Sequence, residues 1–431
     1  MWAALAYMLG LIVFLFTGMH VASAIFLTAF VSDAMTIGVL PNMAGNIVWN
    51  TMTEFLLIAI PLFILLGELL TRSGVADRMY GAVAVWVRRL PGGLLHSNII
   101  TCAMFAATSG SSVATAATIG TVALPTFKKL GYDEPLVLGS IAAGGTLGIL
   151  IPPSITMIVY GALTNVSVGK LFAAGIIPGI ILAMLMSGVI VVLALAGKVT
   201  QKSEHVFIPI LQRIRKLVDV LPVMFIFTIV MGSIYLGYAT PTEAAAMGVV
   251  GAVGIAALNR SLSIRMLHDA FLASLRTTAM VLLVIVAAFL LNFVLSLAGI
   301  PQTLSAYVAA LKLAPMITIW VLVLFYLVLG CFLEAMAMMV TTVGVVVPLV
   351  VSLGFDPLWF GIFMTIMMEM ALITPPVGLN LYVVQNIRLS KGSINDVFRG
   401  VLPFVIAMLI FVAALIYFPE MALWLPRKIF S

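Results

Sequence analysis

Two short stretches in the first half of the chain combine hydroxyl side chains with residues that interrupt helices. One is the segment 108–112, which reads TSGSS, and the other is the segment 144–154, which reads GGTLGILIPPS. Both lie in strongly apolar sequence, and unwound backbone at membrane depth is tolerated only where protein or a water-filled cavity covers it. Bare oxygens there can replace the water shell of a sodium ion, and the N-termini of half-helices attract anions. The two stretches therefore predict a binding site near the middle of a membrane.

We expect residues of the first stretch to face residues of the second, mostly through main-chain oxygen. These are Ser109, Ser111 and Ser112 opposite Gly148, Ile151, Pro153 and Ser154. An alternative is that the small residues serve only the close packing of helices. The flanking apolar segments 97–109 and 112–125 favour binding, because each is too short for a crossing, which needs about 20 residues. They predict a re-entrant hairpin with TSGSS at its tip.

The same pattern occurs a second time. A shift of 223 positions places Pro125 on Pro348, Gly131 on Gly354, Asp133 on Asp356 and Pro152-Pro153 on Pro375-Pro376. At the position of Ser111 the second copy has Glu334, which either ligates a cation or caps the next half-helix. An acid inside a membrane is costly and usually functional. Thr374 and Asn380 add side-chain oxygens, as expected of a second ion site.

The composition places the chain in a bilayer. Its 431 residues are 63% hydrophobic and only 8% charged, whereas soluble domains carry about 25% charged residues. The 21 Lys and Arg residues are concentrated between apolar runs, so the net charge of +6 indicates membrane topology and not nucleic-acid binding. Cys102 and Cys331 lack metal-type spacing. Glu54, Glu68 and Glu369 lie within apolar runs, and their roles stay open.

The elements that position the two sites form two similar halves, 1–197 and 218–431, joined by a basic linker at 198–217 that we expect to be cytoplasmic. In the first half we predict helices at 2–17, 21–38 and 47–71, an arm at 79–90, a hairpin at 97–125, a broken helix at 135–165 and a helix at 171–196. In the second half we predict helices at 219–238, 242–258 and 270–298, an arm at 301–312, a hairpin at 315–350, a broken helix at 357–386 and a helix at 396–418.

Charge at the base of each hairpin predicts its direction of entry. Arg88, Arg89, Lys128 and Lys129 flank the first base, whereas Lys312 and Asp356 lie near the second. The first hairpin should therefore enter from the cytoplasm and the second from the opposite face. This is an all-α, polytopic plan of two inverted-topology repeats, each with a re-entrant hairpin and a Pro-Pro broken helix, which is common in secondary transporters.

Several motifs resemble one family across nearly the whole chain. GSSVATAATIGTVALP, GGTLGILIPPS, GYATPTEAAAMG, FLEAMAMM and ITPPVGLNLYV together resemble the large membrane subunit of tripartite ATP-independent periplasmic (TRAP) transporters. The resemblance implies an elevator-type, sodium-driven transporter of the bacterial inner membrane with no cofactor beyond Na⁺ as coupling ion. It also implies a small four-helix membrane subunit and a periplasmic substrate-binding protein that delivers an organic anion such as a carboxylate, sugar acid or sulfonate. We expect the small subunit to be a separate chain.

The resemblance also assigns residues to sites. A first sodium site is expected at Ser109, Ser111, Gly148, Ile151 and Pro153, and a second at Glu334, Ala335, Met336, Thr374, Pro376 and Gly378. Contacts with the substrate are expected from Ser112, Thr115, Ser154 and Asn380.

Three other classes compete with this prediction. A stand-alone ion-coupled anion carrier or antiporter would need no binding protein. A polytopic membrane enzyme is disfavoured because HExxH, GxSxG, a P-loop and a His/Asp cluster are all missing from the sequence. A passive channel would show a continuous polar stripe, whereas here polar residues are concentrated at two breaks.

Overall fold

In a computed structural model the chain is described at residues 10–11, 13–14, 17–199, 209–311 and 313–430, and this part is helical without a β-strand. Six of its helices are long and apolar enough to cross a membrane, or up to seven spans if the bent pair Ile210–Asp219 and Leu221–Tyr235 counts as one. The prediction of an all-helical polytopic membrane protein is confirmed. Most of the predicted first helix, 2–17, and residues 200–208 of the linker lie outside the described residues.

The helices before the linker are α1 (Val21–Thr36), α2 (Leu40–Met52), α3 (Ala59–Arg72), α4 (Val75–Val87), α5 (Leu95–Ser109), α6 (Ser112–Leu130), α7 (Glu134–Thr146), α8 (Ile155–Thr164) and α9 (Val168–Leu195). Those after it are α10 (Ile210–Lys216), α11 (Leu221–Tyr235), α12 (Pro241–Leu258), α13 (Ile264–Leu297), α14 (Ile300–Ala310), α15 (Pro315–Gly330), α16 (Ala335–Ser352), α17 (Pro357–Ile373), α18 (Leu379–Ile387), α19 (Ile394–Tyr417) and α20 (Glu420–Ile429).

Side-chain caps explain where several of these helices begin. Asp133 accepts a hydrogen bond from the Leu136 amide at the start of α7, and Asp356 does the same for Leu358 at the start of α17. At α12, Thr240 and Glu243 form a capping box, so Glu243 has the structural role that its sequence position favours. Each cap satisfies amides that would otherwise be bare at a helix start.

The predicted helix 47–71 is wrong as a single element. The structure ends α2 at Met52, bends the backbone at Thr53 and Glu54, and resumes with a 3-10 turn, Phe55–Ile58, before α3. Glu54 has an extended backbone with ψ of 116°. Neither Thr53 nor Glu54 is a strong helix breaker, so the sequence contains no clear signal for this bend.

Other elements also differ from the predictions, and the predicted helix 270–298 begins at Ile264. The predicted arm 79–90 begins earlier, at Val75, since Gly74 adopts a left-handed conformation there with φ of 74°. The linker 198–217 contains α10, a short basic helix. The amphipathic helix α20 was not predicted.

Helices that are separated in the sequence make close contacts, both between the two halves and within the second half. α7 and α19 meet at glycines, because a Cβ on Gly139 would overlap the Gly400 carbonyl and a Cβ on Gly400 would overlap the Pro135 carbonyl. α13 and α16 meet where the Asn292 side chain fills the space beside Gly344. Small residues thus allow direct backbone approach between elements distant in sequence.

Candidate functional site

The structure brings the tip between α5 and α6 against the break between α7 and α8, as predicted. A Cβ on Gly148 would lie 2.8 Å from the Ser111 carbonyl oxygen and 2.9 Å from the Ser112 amide nitrogen. On the other side of the tip, a Cβ on Gly110 would lie 3.1 Å from the Pro153 carbonyl oxygen. Only glycine permits such close packing, so the two stretches form one site.

Local sequence produces both interruptions. α5 ends because Gly110 adopts a left-handed conformation with φ of 60°. Ser111 then caps α6, and Ser154 caps α8 by accepting a hydrogen bond from the Met157 amide. Between α7 and α8 the peptide bond of Pro152-Pro153 is cis, as is that of Pro375-Pro376 in the second half. Two half-helices therefore begin at this site and direct their N-terminal amides towards it.

Main-chain oxygens of the first break are available for a ligand. The carbonyls of Gly148, Ile151 and Pro153 accept no hydrogen bond from any described residue. Unsatisfied buried carbonyls are rare in proteins. These are the three break residues of the predicted first sodium site, which stays a prediction.

Hydroxyl groups order the tip and the break, and that of Ser112 joins the two. The Ser109 and Thr115 hydroxyls lie 2.8 Å apart, and Thr115 also donates to the Ser111 carbonyl at 2.8 Å. Ser112 donates to the Thr146 carbonyl at 3.0 Å and Ser154 to the Ile149 carbonyl at 2.5 Å. All but Ser111 are buried, so the predicted substrate contacts Ser112, Thr115 and Ser154 are bonded within the protein here.

The second tip places Glu334 at the N-terminus of α16. Its Oε2 accepts a hydrogen bond from the Ala337 amide at 3.1 Å, which makes it a helix cap. Ala335 and Met336 are the first residues of that helix. A carboxylate has about four acceptor positions, and the cap does not use all of them. Cation ligation by Glu334 therefore stays open in addition to capping.

The second break is more open than the first. Thr374 ends α17 and donates to the Met370 carbonyl at 2.6 Å, while Tyr382 donates to the Pro376 carbonyl at 3.0 Å. Pro376 is exposed and Thr374 is half-buried, whereas Gly148, Pro152, Pro153 and Ser154 at the first break are buried. Gly378 adopts a φ of 23° before α18. The second tip packs against α17, the helix that ends at this break, where a Cβ on Gly330 would lie 2.7 Å from the Ala371 Cβ.

Asn380 joins the two halves. This residue is fully buried, and its amide donates to the Ala142 carbonyl in α7 at 3.2 Å. Its carbonyl oxygen has no partner among the described residues. A direct contact with an anionic substrate, as predicted, would use the second N–H of the amide, which can donate to a carboxylate or sulfonate.

The three acids left open by the sequence have different surroundings. Glu54 lines a cavity of about 880 Å³ beside Asn165 and Asn292. Glu68 forms an ion pair with Arg72 at 3.0 Å. Glu369 is fully buried in α17, and neither of its oxygens has a hydrogen-bond partner in the described part of the chain.

One ionic cluster was not predicted from the sequence. Arg388, at the end of α18, bonds to Glu134 of α7 at 2.7 Å and to Asp396 of α19 at 2.9 Å. Its side chain is only 5% exposed, although Glu134 is 38% exposed. Burial raises the pKa of Glu134, but hydrogen bonds from Arg388 and Ser390 outweigh that effect and hold it below its ordinary value. Arg388 and Glu134 are 254 residues apart in the chain, so spacing gives no signal for their pairing.

Comparison with known proteins identifies the family. Residues 8–421 match the family model for the tripartite ATP-independent periplasmic transporter, DctM component. The C4-dicarboxylate TRAP transporter large permease protein DctM of Pseudomonas aeruginosa is 36% identical over 380 residues, which cover 88% of each chain. That of Rhodobacter capsulatus is 34% identical and covers 97% of each chain.

A solved structure shares the fold. The YdaH transporter of Alcanivorax borkumensis superposes with a TM-score of 0.63 over 88% of each chain at 14% sequence identity. Membership in the TRAP family implies a small membrane subunit and a periplasmic binding protein as partners, and it implies a multi-pass protein of the inner membrane. The chain belongs to the DctM family of TRAP transporter large permeases and is therefore a transporter subunit, not an enzyme.

Proposed function

We propose that this chain couples the inward movement of sodium to the uptake of a small organic anion. The observation that carries the proposal is the set of three carbonyls, of Gly148, Ile151 and Pro153, that accept no hydrogen bond from the described residues, at a break where Gly148 and Pro153 are buried and Ile151 is half-buried. Backbone carbonyl oxygen is a favourable ligand for Na⁺, and a bound ion would satisfy groups that are otherwise costly to bury. Ser109 and Ser111 complete the first sodium site from the opposing tip.

A second sodium site would form at the other tip and break. Glu334, Ala335 and Met336 supply one side, and Thr374, Pro376 and Gly378 supply the other. The carboxylate of Glu334 provides the charge, and the break provides main-chain oxygens. Support comes from the carboxylate of Glu334 at the start of α16, since an acid inside a membrane segment is costly and usually functional.

The anion would bind between the two sodium sites. The sequence has no lysine or arginine at either tip or either break, and the nearly buried Arg388 is already paired with Glu134 and Asp396, so the negative charge of a carboxylate or sulfonate must be balanced in another way. Two bound cations and the positive N-terminal ends of α6 and α8 supply that balance. Ser112, Thr115, Ser154 and Asn380 would contact the substrate after local rearrangement of their present hydrogen bonds. Bound sodium would then be required to form the anion site, and this requirement would couple sodium movement to anion uptake.

Transport would follow an elevator mechanism in two inverted-topology repeats. The hairpins α5–α6 and α15–α16 and the broken helices α7–α8 and α17–α18 would move as one body. The Asn380–Ala142 bond, the Arg388–Glu134 pair and the glycine contact between α7 and α19 favour this, since each ties the first half to the second. Scaffold helices, among them α12 and α13, would stay fixed with the small subunit, and the linker 198–217 would be cytoplasmic.

Uptake into proteoliposomes tests the proposal. The chain is reconstituted with its small subunit and binding protein, and entry of labelled C4-dicarboxylate, sugar acid and sulfonate is followed with and without an inward sodium gradient. We expect uptake of one anion class, only with the gradient and only with both partners. Uptake that persists without sodium would overturn the coupling, and full uptake by this chain alone would favour the stand-alone carrier.

A further inference from the structure

The hydroxyl of Tyr382 covers a carbonyl oxygen at the second break. It donates to the Pro376 carbonyl at 3.0 Å, reaching back across six residues from the first turn of α18. No other hydrogen bond to that carbonyl comes from the described residues. Tyr382 is 45% exposed, so its ring has open space into which it can turn.

The first break has no hydroxyl at the equivalent position. The shift of 223 positions that relates the two halves places Pro376 on Pro153 and Tyr382 on Val159. Valine has no side-chain donor, and the Pro153 carbonyl accepts no hydrogen bond from the described residues. The two breaks therefore differ at one equivalent oxygen, which lacks a described donor in the first and is covered by a phenol in the second.

A phenol and a sodium ion compete for such an oxygen. Both approach it with positive charge, the phenol with the hydrogen of its O–H group and the ion with a full charge, so they repel each other when they share it. Contacts that involve a full charge are about twice as strong as those between neutral groups. An arriving ion can therefore displace the phenol, and in the absence of an ion the phenol spares the carbonyl from being left unsatisfied.

We propose that the Tyr382 hydroxyl takes the place of sodium at the second break, where it covers the Pro376 carbonyl while no ion is bound and leaves it when an ion arrives. This inference rests on the second sodium site proposed above. Every ion that binds there has to break the hydrogen bond first. The phenol thus lowers the sodium affinity of the second site and makes release of the ion easier.

Binding of labelled sodium to the purified full chain tests the inference without measuring transport. Tyr382→Phe removes the hydroxyl and keeps the ring, so we expect the sodium dissociation constant of the second site to fall roughly fivefold, the equivalent of one neutral hydrogen bond. Glu334→Gln identifies the component of the binding curve that belongs to this site, since it removes the carboxylate proposed there. A hydroxyl that positioned the carbonyl for the ion would have the opposite effect, and a higher dissociation constant in Tyr382→Phe would overturn the inference.

Tyr307→Phe is the matched control, because Tyr307 is 49% exposed and lies on α14, outside both tips and both breaks. Its sodium affinity should equal that of the wild type. Infrared difference spectra with isotope-labelled tyrosine give a second measurement: sodium should shift phenol bands in the wild type and in Tyr307→Phe but not in Tyr382→Phe. Equal second-site affinity in the wild type and Tyr382→Phe would contradict the role of the phenol and leave the sodium site standing. A wild type without saturable sodium binding would contradict both.

Discussion

At the scale of single residues, the glycines and serines of the first tip and break matter because they shape the backbone whose carbonyl oxygens form the candidate site. Gly148 permits the tip to approach the break, and Ser111 and Ser154 cap the half-helices that begin there. The result is a group of backbone oxygens that accept no hydrogen bond from the part of the chain that the structure describes. Backbone ligands cannot be removed by mutation, so tests must change their positions.

Gly148→Ala is the most direct of these changes. The added Cβ would meet the Ser111 and Ser112 backbone at 2.8 to 2.9 Å and push the tip away from the break. We expect the sodium concentration for half-maximal uptake to rise roughly tenfold, equivalent to about 1.4 kcal/mol. Gly188→Ala in α9 is the matched control, because a Cβ there meets nothing within 4 Å. Equal sodium dependence in the two variants would rule out a sodium site at this contact.

Glu334 can be tested for two separate roles. A glutamine retains a side-chain oxygen that can accept from the Ala337 amide, but it loses the negative charge. We expect Glu334→Gln to melt close to the wild-type temperature while requiring more sodium for transport. Glu334→Ala should in addition lose about 1 kcal/mol of stability with the cap. Unchanged sodium dependence in the glutamine variant would reduce Glu334 to a structural cap.

At the scale of elements, the broken helices are held at their ends by partners from the opposite half. Arg388 links the end of α18 to the starts of α7 and α19. Because its guanidinium is nearly buried, removing it leaves the carboxylates of Glu134 and Asp396 near each other without a counter-charge. The cluster thus fixes the distance between the two broken helices.

Arg388→Met should destabilise the protein by roughly 1–2 kcal/mol, a discounted figure because Glu134 is partly exposed. Arg427→Met is the control: its pair with Glu420 is about 60% exposed on both sides and should contribute less than about 0.5 kcal/mol. Thermal unfolding of the two variants, followed by circular dichroism, compares them. Equal melting temperatures would contradict a fixing role.

Acid should weaken the same cluster. The pKa of Glu134 is lower in the folded protein than its ordinary value, so the pairing contributes stability above the unfolded pKa of about 4.3 and loses it as the pH falls through the lower folded value. We expect the melting temperature of the wild type to fall more steeply below about pH 4 than that of Glu134→Gln. Parallel pH profiles would exclude this contribution.

Local signals explain which elements could be predicted from the sequence. Pro152-Pro153 and Gly110 interrupt helices by their own chemistry, so the first tip and break were both placed correctly. The bend at Thr53 and Glu54 was missed because neither residue breaks a helix by itself. The Arg388 cluster and the Asn380–Ala142 bond depend on residues more than 230 positions apart, which no local pattern reveals.

At the scale of the whole molecule, the proposed elevator requires some helix contacts to persist and others to break. Contacts inside the moving body, such as Asn380 with Ala142, should persist. The contact between Asn292 of α13 and Gly344 of α16 joins the proposed scaffold to the second hairpin. Movement of the hairpin past α13 has to separate this pair.

A disulfide at this position should therefore stop transport. We expect Asn292→Cys with Gly344→Cys, in a background without Cys102 and Cys331, to lose most uptake after oxidation and to recover it after reduction. The single-cysteine variants under the same oxidant are the controls. Undiminished uptake by the oxidised pair, with the crosslink shown by mass spectrometry, would contradict relative motion at this interface.

The two breaks differ in burial, and this difference should affect how fast each proposed site releases sodium. The first is enclosed by protein, whereas Pro376 places the second at an open surface. Under the proposed two-ion scheme, a cation at the more buried first break should leave more slowly than a cation at the second. A rapid-mixing experiment with labelled sodium should then resolve one fast and one delayed phase of release.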